Sequence, residues 1–230
     1  MSTILGLTAE APATAEPPRV IPIREQRPPK PAAASLSLHD EQIHALVRQL
    51  FFSHESALVR HAGFAAADAS TDAATLCLGV ARALAAEGAY DVGLIDAGLD
   101  SASLPSRLNI PSPARVEGSW LIAPRLWMVP RRCWLAEGCG QKITQQRLAQ
   151  LRALTEDFDF SILSCPPASS LGASIAQACD GLVLVLTANK TRRLVAAQIK
   201  QQLDRSQIAL LGTVLVERRF PVPQGLYRSL

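Results

Sequence analysis

Apolar residues along this chain follow two spacings, one typical of amphipathic helices and one typical of buried strands. The first helical stretch places its apolar residues three or four positions apart, at Ile43, Leu46, Val47 and Leu50. That spacing predicts a leading helix within residues 37–53. Short continuous apolar runs then recur along the chain and have the character of strands buried on both faces. Helical stretches of roughly 10–16 residues separate these runs.

The predicted strands and helices alternate from the leading helix almost to the end of the chain. The strand candidates lie within 56–65, 92–96, 125–130, 158–167, 181–188 and 208–217. The helix candidates between them lie within 72–88, 142–158, 171–180 and 191–205, and 97–124 is predicted to be a loop. This alternation is typical of an α/β fold, a doubly wound and mainly parallel sheet flanked by helices. Such sheets bind ligands at the carboxyl ends of their strands.

Both ends of the chain differ in composition from the part between them. Residues 1–36 are rich in proline and alanine, which predicts a disordered tail. The α/β domain is therefore expected to occupy residues 37–230. Its last stretch, "ERRFPVPQGLYRSL" at 217–230, is basic, aromatic and interrupted by two prolines. We interpret this stretch as a docking tail.

Composition narrows the class of protein. Of 230 residues 48% are hydrophobic and 19% charged, and the net charge is only +3, which argues against nucleic-acid binding. The five cysteines contain no CxxC pair, so Cys77 and Cys165 are expected in the core and no metal site is predicted. A disulfide or metal role for Cys133 and Cys139 stays open. No apolar run is long enough to span a bilayer, so we expect a cytoplasmic protein.

The predicted strand ends and the helix after the first strand resemble one known group of proteins. "LCLGVARALA" at 76–85 is similar to the helix that follows a phosphate-binding loop. "GLIDAGLD" at 93–100, "FDFSILSCPP" at 158–167 and "CDGLVLVLT" at 179–187 then follow in the same order. Together they resemble the P-loop ATPases of the MinD/ParA type. Within these, the similarity is to the cytosolic bacterial tyrosine kinases of capsular and exopolysaccharide synthesis. The resemblance implies a P-loop NTPase-like fold.

The residues that would carry phosphate chemistry in that family are mostly replaced. Aligned on the helix, the loop lysine falls on Ala73, and the two hydroxyl positions fall on Ala74 and Thr75. A lysine there neutralises phosphate charge and a hydroxyl holds Mg²⁺. The loop also lacks the glycines whose backbone N–H groups surround a phosphate. We therefore expect degenerate Walker motifs and no ATP or magnesium cofactor, with a weak metal-free nucleotide contact at the helix start left open.

Two of the three acidic residues of that family are also replaced in this sequence. Asp96 is retained, whereas Gly98 and Ser164 stand where the family has aspartates. Thr75 and Asp96 are thus the candidate cofactor-binding residues, as relics of the ancestral site. Their structural alternatives are a helix-start hydroxyl for Thr75 and a turn cap for Asp96.

These features predict a catalytically inactive, kinase-like scaffold or regulator of exopolysaccharide synthesis and export, with no catalytic residues. The alternatives are an active tyrosine autokinase or ATPase with an atypical phosphate loop, and a MinD/ParA-like positioning adaptor. The expected partners are a membrane polysaccharide chain-length (co-polymerase) protein or an active kinase paralogue, and a homo-oligomer is a further option. A partner would hold the protein at the inner membrane. The candidate partner-binding residues are Trp120, Trp134, Arg218, Arg219, Phe220 and Tyr227. Core packing is the alternative for the two tryptophans.

Overall fold

The fold is described from a computed structural model of the chain. It covers residues 37–53, 59–69, 71, 73–99, 102–113, 118–135 and 143–217. The predictions of a disordered tail at 1–36 and of a docking tail beyond residue 217 lie outside these residues. The boundaries of the α/β domain therefore stay predictions.

A single sheet of seven strands forms the centre of the described fold. The strands are β1 (His61–Ala66), β2 (Val92–Asp96), β3 (Trp120–Ala123), β4 (Leu126–Val129), β5 (Phe160–Ser164), β6 (Gly181–Thr187) and β7 (Leu210–Val216). Their order across the sheet is β3-β4-β2-β5-β1-β6-β7. Every neighbouring pair is parallel except β3 and β4, which form an antiparallel hairpin.

Helices cover both faces of this sheet. They are α1 (Ser37–Phe51), α2 (Ala74–Ala86), α3 (Leu104–Arg107), α4 (Gln145–Glu156), α5 (Ala173–Ala176) and α6 (Arg193–Arg205). One apolar core lies between the sheet and helices α1 and α2, and a second lies between the other face and helices α4, α5 and α6. The predicted doubly wound, mainly parallel α/β class is confirmed.

The leading helix packs on the domain itself. Its apolar stripe buries Val47 completely and Phe51 almost completely. The Phe51 ring meets the Phe160 ring edge-on, with 5.5 Å between centroids, and Tyr90 meets Phe160 in the same way at 4.9 Å. Edge-to-face aromatic pairs add to the apolar area that they bury. This cluster fixes α1 against the amino end of β5.

The prediction of a loop over 97–124 is wrong in two places. Residues Leu104–Arg107 form the short helix α3, and Trp120–Ala123 form the edge strand β3. Strand β3 exists because a two-residue turn, Pro124–Arg125, folds it back onto β4. A four-residue strand of this kind carries too few apolar positions to show a period, and tertiary pairing decides its conformation.

Candidate functional site

The carboxyl ends of the central strands meet at one edge of the sheet, as the sequence predicts for an α/β fold. Strand β1 lies between β5 and β6, and β5 also pairs with β2. The segments that follow these strands therefore lie side by side. They contain the loop after β1, Asp96, Ser164 and Thr187. This edge is the place where the family resemblance puts phosphate chemistry.

The loop after β1 is held to the end of β6. The Ala67 N–H donates to the Val185 carbonyl at 2.9 Å, which extends the β1–β6 pairing by one residue. Further along the loop, the Thr71 and Thr187 hydroxyl oxygens lie 2.7 Å apart, and both residues are buried. The Thr187 N–H in turn donates to the Thr191 hydroxyl at 3.0 Å. Hydroxyls of this loop thus bond to the protein itself.

The start of α2 has buried alanines at the positions that the resemblance assigns to the lysine and to the first of the two hydroxyls. Ala73 is 5% exposed and Ala74 is fully buried, and both belong to the core beneath α1 and α2. Ala73 precedes the helix and provides no side-chain cap. Thr75 lies in the first turn with its side chain exposed. The first turn of an α-helix has backbone N–H groups without partners inside the helix.

Asp96 is buried at the end of β2, and its carboxylate accepts bonds from its own loop. The Leu104 N–H donates to Oδ2 at 2.9 Å, and the Gly98 N–H donates to Oδ1 at 3.1 Å. Burial raises the pKa of Asp96 above its ordinary value, while these two backbone bonds and the positive charges of Arg131 and Arg107 oppose the rise. The carboxylate therefore anchors the segment between β2 and α3.

Ser164 occupies the position beside Asp96 on the neighbouring strand. The two residues are paired in the β2–β5 register, and Ser164 is 3% exposed. The Ala97 N–H donates to the Ser164 carbonyl at 3.1 Å, so the segment after β2 stays bound to β5. A buried hydroxyl at this position carries no negative charge for a metal ion. Among the described residues, no three histidine, cysteine, aspartate or glutamate side chains form a metal-binding group.

The two candidate partner-binding tryptophans lie in the core. Trp134 is 3% exposed, and its indole Nε1–H donates to the Asp96 carbonyl at 2.9 Å. Trp120 is 8% exposed and lies beneath the Arg132 guanidinium, 5.9 Å from the ring centroid. Neither indole has the exposed area that a partner surface needs, because both fill space beside the sheet. The geometry favours the packing alternative for both residues.

The other four candidate partner-binding residues are Arg218, Arg219, Phe220 and Tyr227. They lie outside the described residues, so their role stays a prediction.

Cys77 and Cys165 are buried, as expected of core cysteines, and burial raises the pKa of the Cys165 thiol. Cys133 is a half-buried free thiol, and Cys139 lies outside the described residues.

Several contacts at this edge had no signal in the sequence. Thr71 and Thr187 are separated by 116 positions, and the Trp134 indole reaches back 38 positions to Asp96. Leu104 contributes only its backbone N–H, which any residue except proline could supply. The apolar run that ends at Asp96 is the one feature that could have indicated a buried carboxylate.

Comparisons with known proteins agree with the fold and the resemblance. No family model matches the sequence. The tyrosine-protein kinase CpsD of Streptococcus agalactiae is 36% identical over 67 residues, which is 28% of this chain and 29% of that relative. The chain thus matches less than a third of the length of this curated relative.

Solved structures share the fold over most of the chain. The BceF tyrosine kinase domain covers 77% of each chain with a TM-score of 0.59 and 17% identity. The kinase domain of the Escherichia coli tyrosine kinase ETK covers 88% of each chain with a TM-score of 0.58 and 13% identity. MinD of Pyrococcus horikoshii, complexed with Mg-ADP, covers 74% of this chain and 77% of its own, with a TM-score of 0.54 and 16% identity. The structural neighbours are therefore bacterial tyrosine kinase domains and MinD/ParA ATPases, and the CpsD stretch supports the same family.

These comparisons correct the expectation that the chain takes no ATP or magnesium. The structural neighbours are kinases and ATPases that use magnesium and a nucleotide, and the P. horikoshii MinD structure holds Mg-ADP. The absence of a lysine in one loop is therefore not a sufficient reason to exclude a nucleotide. No helix in the described part of the chain is long and apolar enough to cross a membrane.

Proposed function

We propose that this protein is a kinase-like regulator of exopolysaccharide synthesis and export that does not transfer phosphate and acts through protein contacts. Its partner is a membrane chain-length protein or an active kinase paralogue, and that partner brings it to the inner membrane. The kinase-like fold and the CpsD stretch support the assignment to polysaccharide synthesis. The side chains at the carboxyl edge of the sheet support the loss of phosphoryl transfer.

The single observation that carries this proposal is the buried methyl group of Ala73 at the lysine position. A lysine at this place would have to extend toward the phosphates, but Ala73 is 5% exposed and packs in the core. Phosphoryl transfer depends almost entirely on positioning and on charge stabilisation. Each lost charge-assisted contact removes about 1.5–3 kcal/mol. Without the lysine, the transition state loses its main cation in this loop.

Two of the described polar side chains at this edge, those of Asp96 and Thr71, are already bonded within the protein. Both carboxylate oxygens of Asp96 accept backbone N–H groups, and the Thr71 hydroxyl is bonded to Thr187. A magnesium ion would need Asp96 to exchange these bonds for metal contacts. These side chains do not fit the transfer of a γ-phosphate, so no catalytic step is assigned to them. Nucleotide binding through the backbone of α2 is a separate property.

The test measures phosphate transfer and nucleotide binding separately. The purified full chain is incubated with radiolabelled ATP and magnesium, and the ETK kinase domain serves as the positive control. We expect no label on this protein above the level of a heat-denatured sample. Label that appears in the wild type and disappears in Asp96→Ala would contradict the proposal and support an active kinase. Calorimetry with ADP and with ATP then reports any nucleotide affinity without deciding the transfer reaction.

The regulatory role is tested in cells of the source organism. Deletion of the gene should reduce surface polysaccharide, and a plasmid copy should restore it. The matched variant is Thr75→Ala, which removes an exposed hydroxyl from the first turn of α2 and leaves the core untouched. We expect Thr75→Ala to restore polysaccharide as well as the wild type does. Failure of this variant, at wild-type protein levels, would indicate that phosphate chemistry is needed.

A further inference from the structure

A second concave surface lies at the amino ends of the strands, away from the edge that contains Asp96. It is a cleft of about 550 Å³ between the last turn of α2 and the turn that joins β3 to β4. Residue Leu126, at the start of β4, lies in its wall and pairs with Val92, the first residue of β2. Asp96 lies at the other end of β2, roughly 13 Å away at 3.3 Å per residue. The cleft is therefore separate from the carboxyl edge.

Alanine, proline, leucine and glycine form most of the lining of this cleft, and two arginines flank it. The helix contributes Ala85 and Ala86, and the hairpin contributes Ala123 and Pro124. The Ala86 side chain is exposed, so the cleft is an open trough rather than an enclosed cavity. An open apolar trough of this shape accommodates an extended segment of another chain more readily than a small metabolite.

The two arginines are Arg82 from α2 and Arg125 from the hairpin turn. Arg82 is exposed, and within the described part of the chain its guanidinium makes no ion pair or hydrogen bond. Among the described residues, the Arg125 guanidinium makes two long contacts, to the Ala89 carbonyl at 3.3 Å and to the Asp91 carboxylate at 3.5 Å. The side chains of Arg125 and Asp91 are each about half exposed, so their ion pair holds the Arg125 guanidinium weakly.

The backbone of Arg125 is unusual for its residue type. Its φ is +58°, in the left-handed region, at the second position of a Pro-Arg turn. Glycine and asparagine adopt this conformation more easily than arginine does. An arginine held there directs a charged side chain to the rim of the cleft, at a position where turn geometry alone favours a smaller residue.

We propose that this cleft binds an acidic, partly apolar segment of a protein partner. The carboxylates of that segment pair with Arg82 and Arg125, and its apolar side chains cover the alanine and proline surface between them. Positive charge on both rims and an apolar floor are complementary to a segment that carries both acidic and apolar side chains. This inference rests on the proposed function, because it names a surface for the protein contacts, and it assigns no role to the carboxyl edge.

The first experiment uses a defined probe, a fluorescein-labelled hexapeptide of alternating glutamate and leucine, with the lysine–leucine hexapeptide as its charge-reversed control. Fluorescence anisotropy is followed during titration with the full chain. We expect saturable binding of the glutamate peptide that weakens as salt is added, and no saturable binding of the lysine peptide. Equal binding of both peptides, or no saturable binding of the glutamate peptide, would overturn the proposal.

Three variants then locate the binding to the cleft. Arg82→Gln and Arg125→Asn each remove one charge, and asparagine suits the left-handed turn, so the hairpin is preserved. Each should weaken binding roughly two- to fivefold, the loss expected for one exposed ion pair. Ala86→Leu keeps both charges and fills the trough, and it should weaken binding as well. The control, Arg193→Gln, removes an exposed charge at the start of α6 and should leave binding unchanged.

The pattern of these results separates the cleft from general electrostatic attraction. If the arginine variants weaken binding while Ala86→Leu does not, or if Arg193→Gln is as damaging as they are, the cleft is not the site and the proposal fails. Circular dichroism of each variant shows that the fold is kept. The radiolabelled ATP assay is independent of the peptide titration, so failure of the cleft and failure of the proposed function are told apart.

Discussion

Replacing Trp134 or Trp120 with phenylalanine removes a buried indole N–H in each case. The loss of this group should lower the free energy of unfolding for Trp134 and raise it for Trp120. The Trp134 indole N–H donates to the Asp96 carbonyl at 2.9 Å, whereas the buried Trp120 Nε1–H has no partner among the described residues. In Trp134→Phe the carbonyl loses its donor, which costs about 1–3 kcal/mol. In Trp120→Phe a buried donor without a partner is removed, which recovers a penalty of the same size.

The loss of ring carbons is common to both variants, so it cancels when the two are compared. The Arg132 guanidinium over Trp120 is attracted less by phenylalanine, which reduces the recovered energy by about 0.5 kcal/mol. The free energy of unfolding of Trp134→Phe should therefore lie roughly 1.5–5.5 kcal/mol below that of Trp120→Phe. Urea titrations followed by far-UV circular dichroism measure this gap, and the slopes show whether unfolding remains two-state. Equal destabilisation of the two variants, or greater loss in Trp120→Phe, would refute the reasoning.

Two further predictions concern the sheet. In Gly93→Ala the new Cβ would lie 2.5 Å from Cδ2 of Phe158, so we expect a loss of about 1–3 kcal/mol in urea unfolding. Gly212→Ala, with nothing within 4 Å of its Cβ, is the matched control and should cost little. Burial raises the pKa of Asp96 above its ordinary value of 3.8, so the folded state binds the proton of this carboxyl more tightly than the unfolded state does. The contribution of Asp96 to the free energy of unfolding therefore falls as the pH rises from 3.8 through the folded pKa. The free energy of unfolding of Asp96→Asn, relative to that of the wild type, should therefore increase as the pH rises through this range. A difference between the two proteins that is constant with pH, or that decreases, would contradict this sign.

Most of the fold could be predicted because its strands are buried on both faces. Strands β2 and β5 are buried at every position, and such strands appear in a sequence as continuous apolar runs. The stripe of α1 is equally plain, with Val47 and Phe51 in the core. By contrast, β3 and α3 have four residues each, and four residues do not define a period.

The sequence could predict where the candidate site lies in the fold. It could not predict which groups form hydrogen bonds there. The run that ends at Asp96 indicates a strand end, and strand ends are where α/β proteins bind ligands. The sequence could not show that Leu104 and Gly98 donate to the carboxylate, because backbone N–H groups carry no residue signature. Nor could it show that Trp134 lies in the core, since its neighbours suggest a loop.

By itself, the sequence determined which residues are available at the carboxyl edge. Aligned on the resembled family, it has Ala73 at the lysine position and Asp96 at an acidic position. These facts do not depend on folding, because a side chain that is absent cannot supply charge. Only the tertiary structure decided what the retained groups do. It turned Asp96 toward its own loop, buried Trp134 against it, and placed Arg82 and Arg125 on the rim of one cleft. Such pairings depend on the order of strands in the sheet, and residues far apart in the sequence meet only when that order is set.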